Sequence, residues 1–587
     1  MKFITLAQSL GQLEAIASRN QMTEVLADLF SRVTYQEIDW VCYLVLGRLK
    51  PKFSGVEFNL AEKMMVRVLS RAIGQSEAES LKLFKQTGDL GEVILKLKTS
   101  NSKLKIRKSL EIKDVYNSLL KIAEEAGEGS VERKLNKMAV LLSQLDPLSA
   151  KYVVRIPVKK LRLGFSDMTI LDALSWMQTG DKSLRPELER AYSVSADIGR
   201  IARVFKQQGL NGLKQIQVEV GIPIRPALSE RLPNAAKIVE KLECFAVEPK
   251  YDGLRVELHL DKTRKVELSE GLFKQQSSFI QIYSRNLDNI THMFPEVVLA
   301  VEQLPVKQAI FDGEAIGVHP QTGKLLSFQE TIQRRRKHNI KQMLSQVPIK
   351  VFIYDLLYLN GRAVFKQPFS QRRQLLEKIL TKRQNGLVLT EQTKVNNVKQ
   401  LRYLLDKYLQ QGLEGIMCKK LDEPYQAGGR NFNWVKFKKN TEGKLVDTLD
   451  CVVMGYYPGK GKRVGFGIGA FLVGVSDAET IKTVAKIGTG LTDDQWREMK
   501  KRCQQIRAPK CPNSYIVNKN LYPDFWCQPK IVVEIMADEI TKSPIHTAGL
   551  ALRFPRLVRF RDDKDIDQIT TLKELKKLHQ LQTSMLS

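Results

Sequence analysis

The sequence predicts a multidomain fold in which an all-helical N-terminal domain precedes an α+β domain and a small C-terminal β-barrel. Three observations predict it. The 587 residues exceed what one ordinary core holds. Apolar residues recur at helical spacing early in the chain, whereas short β-rich runs separated by turn residues dominate the rest. We expect the domains to span 1–215, 216–441 and 442–587.

The chain carries a large excess of positive charge. Its 93 Lys and Arg against 64 Asp and Glu leave +29, which favours a polyanionic partner such as nucleic acid, although membrane surfaces attract cations too. The N-terminal segment interrupts its apolar residues with polar ones, and no stretch approaches the ~20 apolar residues of a membrane span. We therefore expect a protein that is not secreted and that works in the cytoplasm, at a prokaryotic nucleoid, or in a nucleus.

The seven cysteines are scattered and form no Cys-x-x-Cys pair. This pattern disfavours a disulfide framework and a structural zinc site. We expect small buried apolar residues in a reducing compartment.

The first domain is expected to be helical. Segments such as "TEVLADLFSRV" and "NLAEKMMVRVLSRAIG" place apolar residues three and four positions apart. Two basic runs, 96–108 and 151–164, look like connections between helices. Taken singly, such runs are mostly solvated surface. In a chain of this charge, two of them indicate contact with phosphates.

Beyond "EVGIPIRPALSERLP" the pattern changes to strands. Runs such as "FAVEPKYDGLRVELHL" and "IKVFIYDLLYLNG" alternate with helical stretches such as "VKQLRYLLDKYLQQ", which predicts the mixed domain. After Lys444, short strands with Gly-rich turns predict a closed or partly open barrel, and "TLKELKKLHQL" predicts a C-terminal helix.

Charged residues recur at the strand ends of the middle domain, where a sheet presents side chains to a cleft. Glu314 and Glu414 have the chemistry to hold a magnesium ion together with substrate phosphate. Taken one at a time, each charged residue is better explained as a surface charge. The basic side chains suited to phosphates are Arg255, Arg285, Lys436 and Lys438.

Lys250 follows a proline and precedes an apolar alternation in "EPKYDGLRVELHL". Alone, a Lys-x-Asp-Gly string indicates a charge at a strand edge beside a turn. The chain lacks P-loop, protein-kinase and His-Glu-x-x-His strings. A covalent lysine is one alternative route for phosphoryl or nucleotidyl transfer without a P-loop. Such a lysine needs its pKa lowered by roughly three units, at about 4 kcal/mol. Burial, nearby cations and a metal are able to lower it.

Together these motifs resemble a known family. "KYDGLR", "YSRN", "FDGEA", "FIYDLLYLNG", "LEGIMCKK", "NWVKFKK" and "LRFPRLVRFRDDK" occur in the order and approximate spacing of the nucleotidyltransferase motifs of ATP-dependent DNA ligases. The resemblance extends into the first domain through "GDLGEV", "GEGSVERK" and "KKLRLGFSD". The chain resembles in particular the three-domain archaeal and eukaryotic-type replicative ligases.

This resemblance implies a helical DNA-binding domain, a nucleotidyltransferase (adenylation) domain and a C-terminal OB-fold. It implies that Lys250 is adenylated from ATP with Mg²⁺, that AMP then passes to the 5′-phosphate of nicked duplex DNA, and that the 3′-hydroxyl completes the seal. It also implies roles in replication, repair and recombination. We expect a monomer, with a sliding clamp as a candidate partner, although the sequence shows no convincing clamp-binding peptide.

The resemblance assigns further roles by position. Glu248 would read the adenine amino group, and Arg255 with Glu314 would hold the ribose region. Arg285 would bind near the α-phosphate and the nick's 5′-phosphate. Tyr354 stands where the family usually has phenylalanine stacked on adenine, so its hydroxyl needs a partner. The implied phosphate ligands are Arg430, Lys436 and Lys438, the implied metal ligands are Glu314 and Glu414, and the barrel motif that closes over ATP contains Arg553, Arg556, Asp563 and Lys564.

Three other interpretations stay open: an RNA ligase, an mRNA-capping guanylyltransferase, or a non-catalytic scaffold that binds nucleic acid. The basic helical domain and the terminal "RFPR…RDDK" motif favour a DNA ligase. NAD as donor is disfavoured because the chain shows neither a cysteine-rich zinc module nor the tail domain of such ligases. A scaffold would lack the nucleophile or an acid, whereas Lys250, Glu314 and Glu414 are all present.

Overall fold

The computed structural model describes residues 1–16, 18–100, 109–161, 163–232, 234–268, 275–334, 340–380, 386–438, 448–459 and 461–584. The chain divides into two compact units, Met1–Phe437 and Lys438–Ser587. The expected boundary at 441/442 lies outside the described residues, as does most of the first basic run, at 101–108.

Helices make up the first unit as far as Gln215, as the periodicity predicted. Asp146 caps one of them, since its carboxylate accepts a hydrogen bond of 2.9 Å from the Ser149 amide, and Pro147 occupies the first turn. In the described part of the region the α-helices are α1 (Phe3–Ala15), α2 (Arg19–Arg32), α3 (Ile38–Val45), α4 (Glu62–Ile73), α5 (Glu77–Thr87), α6 (Leu90–Ser100), α7 (Ile112–Glu124), α8 (Ser130–Gln144), α9 (Pro147–Arg155), α10 (Asp167–Thr179), α11 (Arg185–Val194) and α12 (Ile198–Gln215).

The second basic run does not simply connect two helices, because its first five residues, 151–155, lie within α9. Arg155 is 1% exposed, and its guanidinium lies 2.6 Å from Asp89 and 3.0 Å from Glu14. The Lys151 amine lies 3.0 Å from Glu14 and 2.8 Å from Glu92. The expectation of phosphate contact was therefore wrong for Lys151 and Arg155, whose charges are paired with carboxylates inside the helical region.

Strands and helices alternate in the remainder of the first unit. Its strands are β1 (Leu228–Glu230), β2 (Phe245–Lys250), β3 (Leu254–Leu268), β4 (Gln275–Ser284), β5 (Gln308–Gly317), β6 (Ile349–Leu359), β7 (Arg362–Ala363), β8 (Leu387–Leu389), β9 (Thr393–Val395), β10 (Gly415–Lys420) and β11 (Arg430–Lys438, whose last residue belongs to the second unit). Its helices are α13 (Ala235–Leu242), α14 (Pro295–Glu302), α15 (Phe328–Thr331), α16 (Ile340–Gln346), α17 (Phe369–Ile379) and α18 (Val398–Gln410).

These strands form two sheets. The first has the order β1-β11-β10-β2-β9 and the second the order β4-β3-β5-β6-β7, with β8 beside β6. Because β2 belongs to the first sheet and β3 to the second, the turn at Tyr251–Gly253 carries the chain from one sheet to the other. A Cβ on Gly253 would lie 2.5 Å from the Ala315 carbonyl oxygen, so only glycine allows the turn to approach β5 so closely. Lys250 and Arg255 consequently stand at the two ends of one tight turn.

The segment between α12 and β1 is attached to β3 by buried polar contacts. The Gly221 amide donates to His259 Nδ1 (2.9 Å), and the Ile224 amide donates to Glu257 Oε1 (2.8 Å). His259 Nε2 lies 2.6 Å from the same Glu257 oxygen, and Tyr283 donates from its hydroxyl to the Gly221 carbonyl (2.8 Å). This segment is therefore held by hydrogen bonds to side chains of the second sheet.

The second unit is rich in short strands, as predicted. Its largest sheet has the order β15-β17-β12-β13-β14-β16, and β18 joins β12 to β21. Along the described residues the hydrogen-bonded path is open, which agrees with a partly open OB-fold barrel. The elements are β12 (Leu449–Tyr457), β13 (Ala470–Asp477), β14 (Thr480–Ile487), α19 (Asp493–Gln505), β15 (Arg507–Ala508), β16 (Tyr515–Ile516), β17 (Phe525–Cys527), β18 (Val532–Met536), β19 (Glu539–Lys542), β20 (Leu550–Arg553), β21 (Arg556–Phe560) and α20 (Leu572–Ser584).

The cysteines are unpaired, as predicted, and most of them are buried. All seven thiols are free, and five of them are buried, whereas Cys244 is exposed and Cys511 is half-buried. Among the described helices, we find none with the length and apolar character needed to cross a bilayer.

Candidate active site

The centre of the candidate site is the end of β2. Lys250 is the last residue of this strand, and its amine contacts the Glu414 carboxylate. The antiparallel register pairs Lys250 with Gly415, and the Glu414 amide donates to the Lys250 carbonyl (3.1 Å). The pairing of β2 with β10 thus brings together two residues that are more than 160 positions apart in sequence.

Glu314 lies on β5, opposite Arg255 of β3. Burial raises the pKa of Glu314 to about 7, against the opposing effect of the positive charges of Lys250 and Arg255. The negative charge of Asp312 also raises the pKa of Glu314. The effect of Lys250 on this carboxyl shows that Glu314 and the lysine share one electrostatic environment.

Arg255 pairs with Asp312, not with Glu314. Its Nε and Nη2 lie 3.0 and 2.6 Å from the two Asp312 oxygens, and Nη1 donates to the Ala227 carbonyl (2.6 Å). The hydroxyls of Tyr354 and Tyr425 donate to the same carboxylate at 2.9 and 2.8 Å. Asp312 therefore supplies the partner that the Tyr354 hydroxyl was expected to need.

A second buried ion pair lies two residues before the lysine. Glu248 Oε2 is 2.7 Å from the Lys419 amine, and the two side chains are 2% and 1% exposed. Gln392 donates from Nε2 to Glu248 Oε1 (3.1 Å). Sequence reasoning did not assign a role to Lys419 or Gln392, although Lys419 stands inside the quoted string "LEGIMCKK".

Positive charge accumulates around Lys436 on β11. The pKa of this lysine is lowered to about 8, by burial first and then by the cations Arg231, Lys250, Arg430 and Arg285. Three of these four residues were predicted from the sequence. Arg231 was missed because it follows β1, and only the parallel pairing of β1 with β11 brings it beside Lys436.

The basic and acidic residues expected of the barrel motif lie in the second unit and are paired there. Arg553 Nη1 is 3.4 Å from Glu539, Lys564 Nζ is 2.6 Å from Asp450, and Arg556 contacts Asp538. Asp563 accepts from Arg561 at 2.8 Å. Their part in nucleotide binding stays a prediction.

Three family models match the chain. "DNA ligase N terminus" matches residues 2–175, "ATP dependent DNA ligase domain" matches 226–438, and "ATP dependent DNA ligase C terminal region" matches 465–564. The middle match contains Lys250 and all the residues described around it above.

Relatives match along nearly the whole length. A "Probable DNA ligase" of Dictyoglomus turgidum is 43% identical over 586 residues, covering 98% of this chain and 97% of the relative. "DNA ligase 2" of Thermofilum pendens is 37% identical, covering 99% and 98%. A solved structure named Pmar-Lig_Pre shares the fold at 17% identity and a TM-score of 0.54, covering 95% of this chain and 99% of that one.

The arrangement of lysine, carboxylates and cations is compatible with nucleotidyl transfer. The family models and the long, similar relatives settle the family. The chain belongs to the ATP-dependent DNA ligases, and it is an enzyme of that family.

Proposed function

We propose that this protein seals nicks in duplex DNA, with ATP as the adenylate donor and Lys250 as the residue that carries AMP. The observation that carries the proposal is the surroundings of Lys250: its amine contacts one carboxylate and interacts electrostatically with a second carboxyl and with Lys436. Glu414 contacts the Lys250 amine, Glu314 shares its electrostatic environment, and the β11 residue Lys436 is surrounded by further cations. A nucleophile, metal ligands and phosphate ligands are what the reaction requires.

In the first step the Lys250 amine, having lost a proton, attacks the α-phosphorus of ATP. A nitrogen–phosphorus bond forms and the bond to the leaving pyrophosphate breaks. The 5′-phosphate at the nick then displaces the lysine and takes AMP. Finally the 3′-hydroxyl attacks that phosphate, a phosphodiester forms, and AMP leaves.

The carboxylates fit a magnesium ion that is completed by substrate. The described residues hold no ready-made cluster of three or more His, Cys, Asp or Glu side chains. Mg²⁺ is commonly bound through one or two carboxylates together with phosphate oxygens and water. Glu314 and Glu414 would supply the two carboxylates, and a bound ion would neutralise phosphate charge.

The remaining predicted ligands would act on the phosphates and the nucleoside. Tyr354 would stack on adenine and Glu248 would accept from its amino group, while Arg255 would orient the ribose side through its pair with Asp312. The residues proposed to bind phosphate or pyrophosphate are Arg285, Arg430, Lys436, Lys438, Arg553, Arg556 and Lys564.

The DNA partner is proposed from the charge and the family. A nick occurs at any sequence, so binding would depend on the backbone and on groove shape. The net charge of +29 suits such contact. A sliding clamp is a candidate partner, and we expect a monomer, which light scattering with and without nicked DNA would test.

One experiment tests the proposal. The protein is incubated with α-labelled ATP, GTP or NAD and Mg²⁺, denatured, and inspected for retained label, with Lys250→Ala as the control. We expect label from ATP on the wild type and none on the variant. Absence of label from every donor, or full labelling of the variant, would refute the lysine mechanism. Sealing of nicked DNA in preference to nicked RNA then distinguishes a DNA ligase from an RNA ligase or a capping enzyme.

A further inference from the structure

The innermost polar contact of the site is the buried pair of Glu248 and Lys419. Both side chains are at most 2% exposed, with 2.7 Å between Lys419 Nζ and Glu248 Oε2. A single charge of either sign would be strongly disfavoured at this depth, so each charge depends on the other.

Three aromatic rings hold the Lys419 amine in place. Its nitrogen lies 4.6 Å from the ring centre of Tyr354, 4.7 Å from Phe369 and 4.3 Å from Trp434. It also donates to the Tyr354 backbone carbonyl (3.3 Å). Cation–π contacts and this hydrogen bond stabilise the ammonium in one position. The lysine therefore fixes the carboxylate oxygen that it contacts.

The other Glu248 oxygen accepts from Gln392 at 3.1 Å. An ionised carboxylate offers about four lone-pair positions and no proton to donate. Two positions are used by Lys419 and Gln392, and those that remain are able only to accept. A 6-amino group, as in adenine, satisfies them, whereas the 6-oxo group of guanine would meet a second acceptor.

We propose that Lys419 is a positioning residue that acts through Glu248 to select adenine over guanine in the nucleotide donor. This inference rests on the proposed function. Without the Lys419 charge, Glu248 would be buried without its cation and would take up a proton more readily. A protonated carboxyl donates a hydrogen bond, so it would donate to the 6-oxo group of guanine and bind the amino group of adenine less well.

Other groups close to Glu248 do not replace that cation. Tyr251 and Tyr408 interact with its charge, and their pKa values are raised, chiefly by burial. Both hydroxyls are therefore neutral around pH 7. Among the described ion pairs, Lys419 supplies the positive charge on Glu248.

The test is Lys419→Met, which keeps the length of the side chain and removes its charge. Lys420→Met is the matched control, because the neighbouring residue of β10 points to the opposite face. For each protein we would measure the KM for ATP, the single-turnover rate of adenylation, and labelling from GTP relative to ATP, between about pH 6 and pH 8.5.

We expect Lys419→Met to raise the KM for ATP by about tenfold, with a much smaller change in the rate at saturating ATP. Labelling from GTP relative to ATP should rise, most at the acid end. Lys420→Met should match the wild type. A Lys419→Met protein with the wild-type KM, GTP discrimination and pH profile would overturn the inference.

A second pair of variants decides the question should Lys419→Met fail to fold. Glu248→Gln and Glu248→Gln/Lys419→Met are compared, since the double variant lacks both charges. If Lys419 acts through Glu248, the second change should alter the KM by less than about twofold. Independent, multiplying effects would overturn the inference. An unlabelled wild type would instead refute the proposed function itself.

Discussion

The Tyr354 hydroxyl donates a hydrogen bond of 2.9 Å to Asp312, whose carboxylate also accepts hydrogen bonds from Nε and Nη2 of Arg255. The ring proposed to stack on the base is thereby attached to the residue proposed to orient the ribose. The pKa of this hydroxyl is raised well above its ordinary value, chiefly by burial. The tyrosine is therefore neutral and acts as a donor.

Tyr354→Phe should lower the free energy of unfolding by about 1–2 kcal/mol, because one hydrogen bond to a charged acceptor is lost while the ring remains. The KM for ATP should change by less than about fivefold, since stacking area is preserved. Chemical denaturation and adenylation kinetics measure these quantities. Tyr403→Phe, at a 67% exposed position, is the control. A much larger rise in KM would show that the hydroxyl, and not the ring alone, serves the nucleotide.

The raised pKa of Glu314 predicts how stability depends on pH. Its pKa is about 7 in the folded protein against an ordinary 4.5, so between these values the folded state binds more protons than the unfolded state. Stability must then fall as pH rises through this window. Because Glu314 is partly exposed, we expect a contribution of about 1–3 kcal/mol.

Glu314→Gln removes this ionisation and should stabilise the metal-free protein at pH above 7 relative to the wild type, but not near pH 4. Urea denaturation at the two pH values measures the difference. Glu240→Gln, on the exposed face of α13, should leave the pH dependence unchanged. Equal pH dependence in wild type and Glu314→Gln would contradict the assignment.

The lowered pKa of Lys436 predicts a loss of affinity in alkali. With a pKa of about 8 instead of 10.5, this amine loses its charge in the folded protein as the pH rises through about 8. The KM for ATP should therefore rise by roughly tenfold between about pH 7.5 and 9.5, as a charge-assisted contact to phosphate is lost. Lys436→Arg keeps its charge throughout and should flatten this profile. A wild-type profile that is already flat would show that Lys436 does not bind the phosphates.

The contacts of His259 predict how the segment between α12 and β1 is held. His259→Leu should lower the free energy of unfolding by about 2–4 kcal/mol. Glu257 would stay buried without its contact to the imidazole, and the Gly221 amide would lose its acceptor. Proteolysis within 216–227 should become faster. His259→Asn retains an acceptor near the position of Nδ1, so its free energy of unfolding should lie between those of the wild type and His259→Leu. Unchanged stability in the leucine variant would mean that these hydrogen bonds are not required for docking.

Much of the site was predictable from residue types in short strings. Lys250, Glu314 and Glu414 were singled out because strand ends present side chains to clefts, and the structure brings Lys250 against Glu414. Lys419 was missed because a lysine inside a strand pattern gives no sign of burial, and Gln392 was missed because its contact with Glu248 joins residues remote in sequence. The partner of Arg255 was not predicted: its guanidinium pairs with Asp312, and this contact depends on side-chain direction.

The sequence by itself determined the class of each region and the set of candidate site residues. Helical and strand periodicities are local properties, and the motif strings contain the proposed nucleophile, the acids and the cations within short segments. Only the tertiary structure decided which charges meet. The pairing of β2 with β10 sets Glu414 beside Lys250 and Lys419 beside Glu248, and the pairing of β1 with β11 adds Arg231 near Lys436. Ion pairing and burial depend on distances between strands that are remote in sequence, which no local pattern encodes.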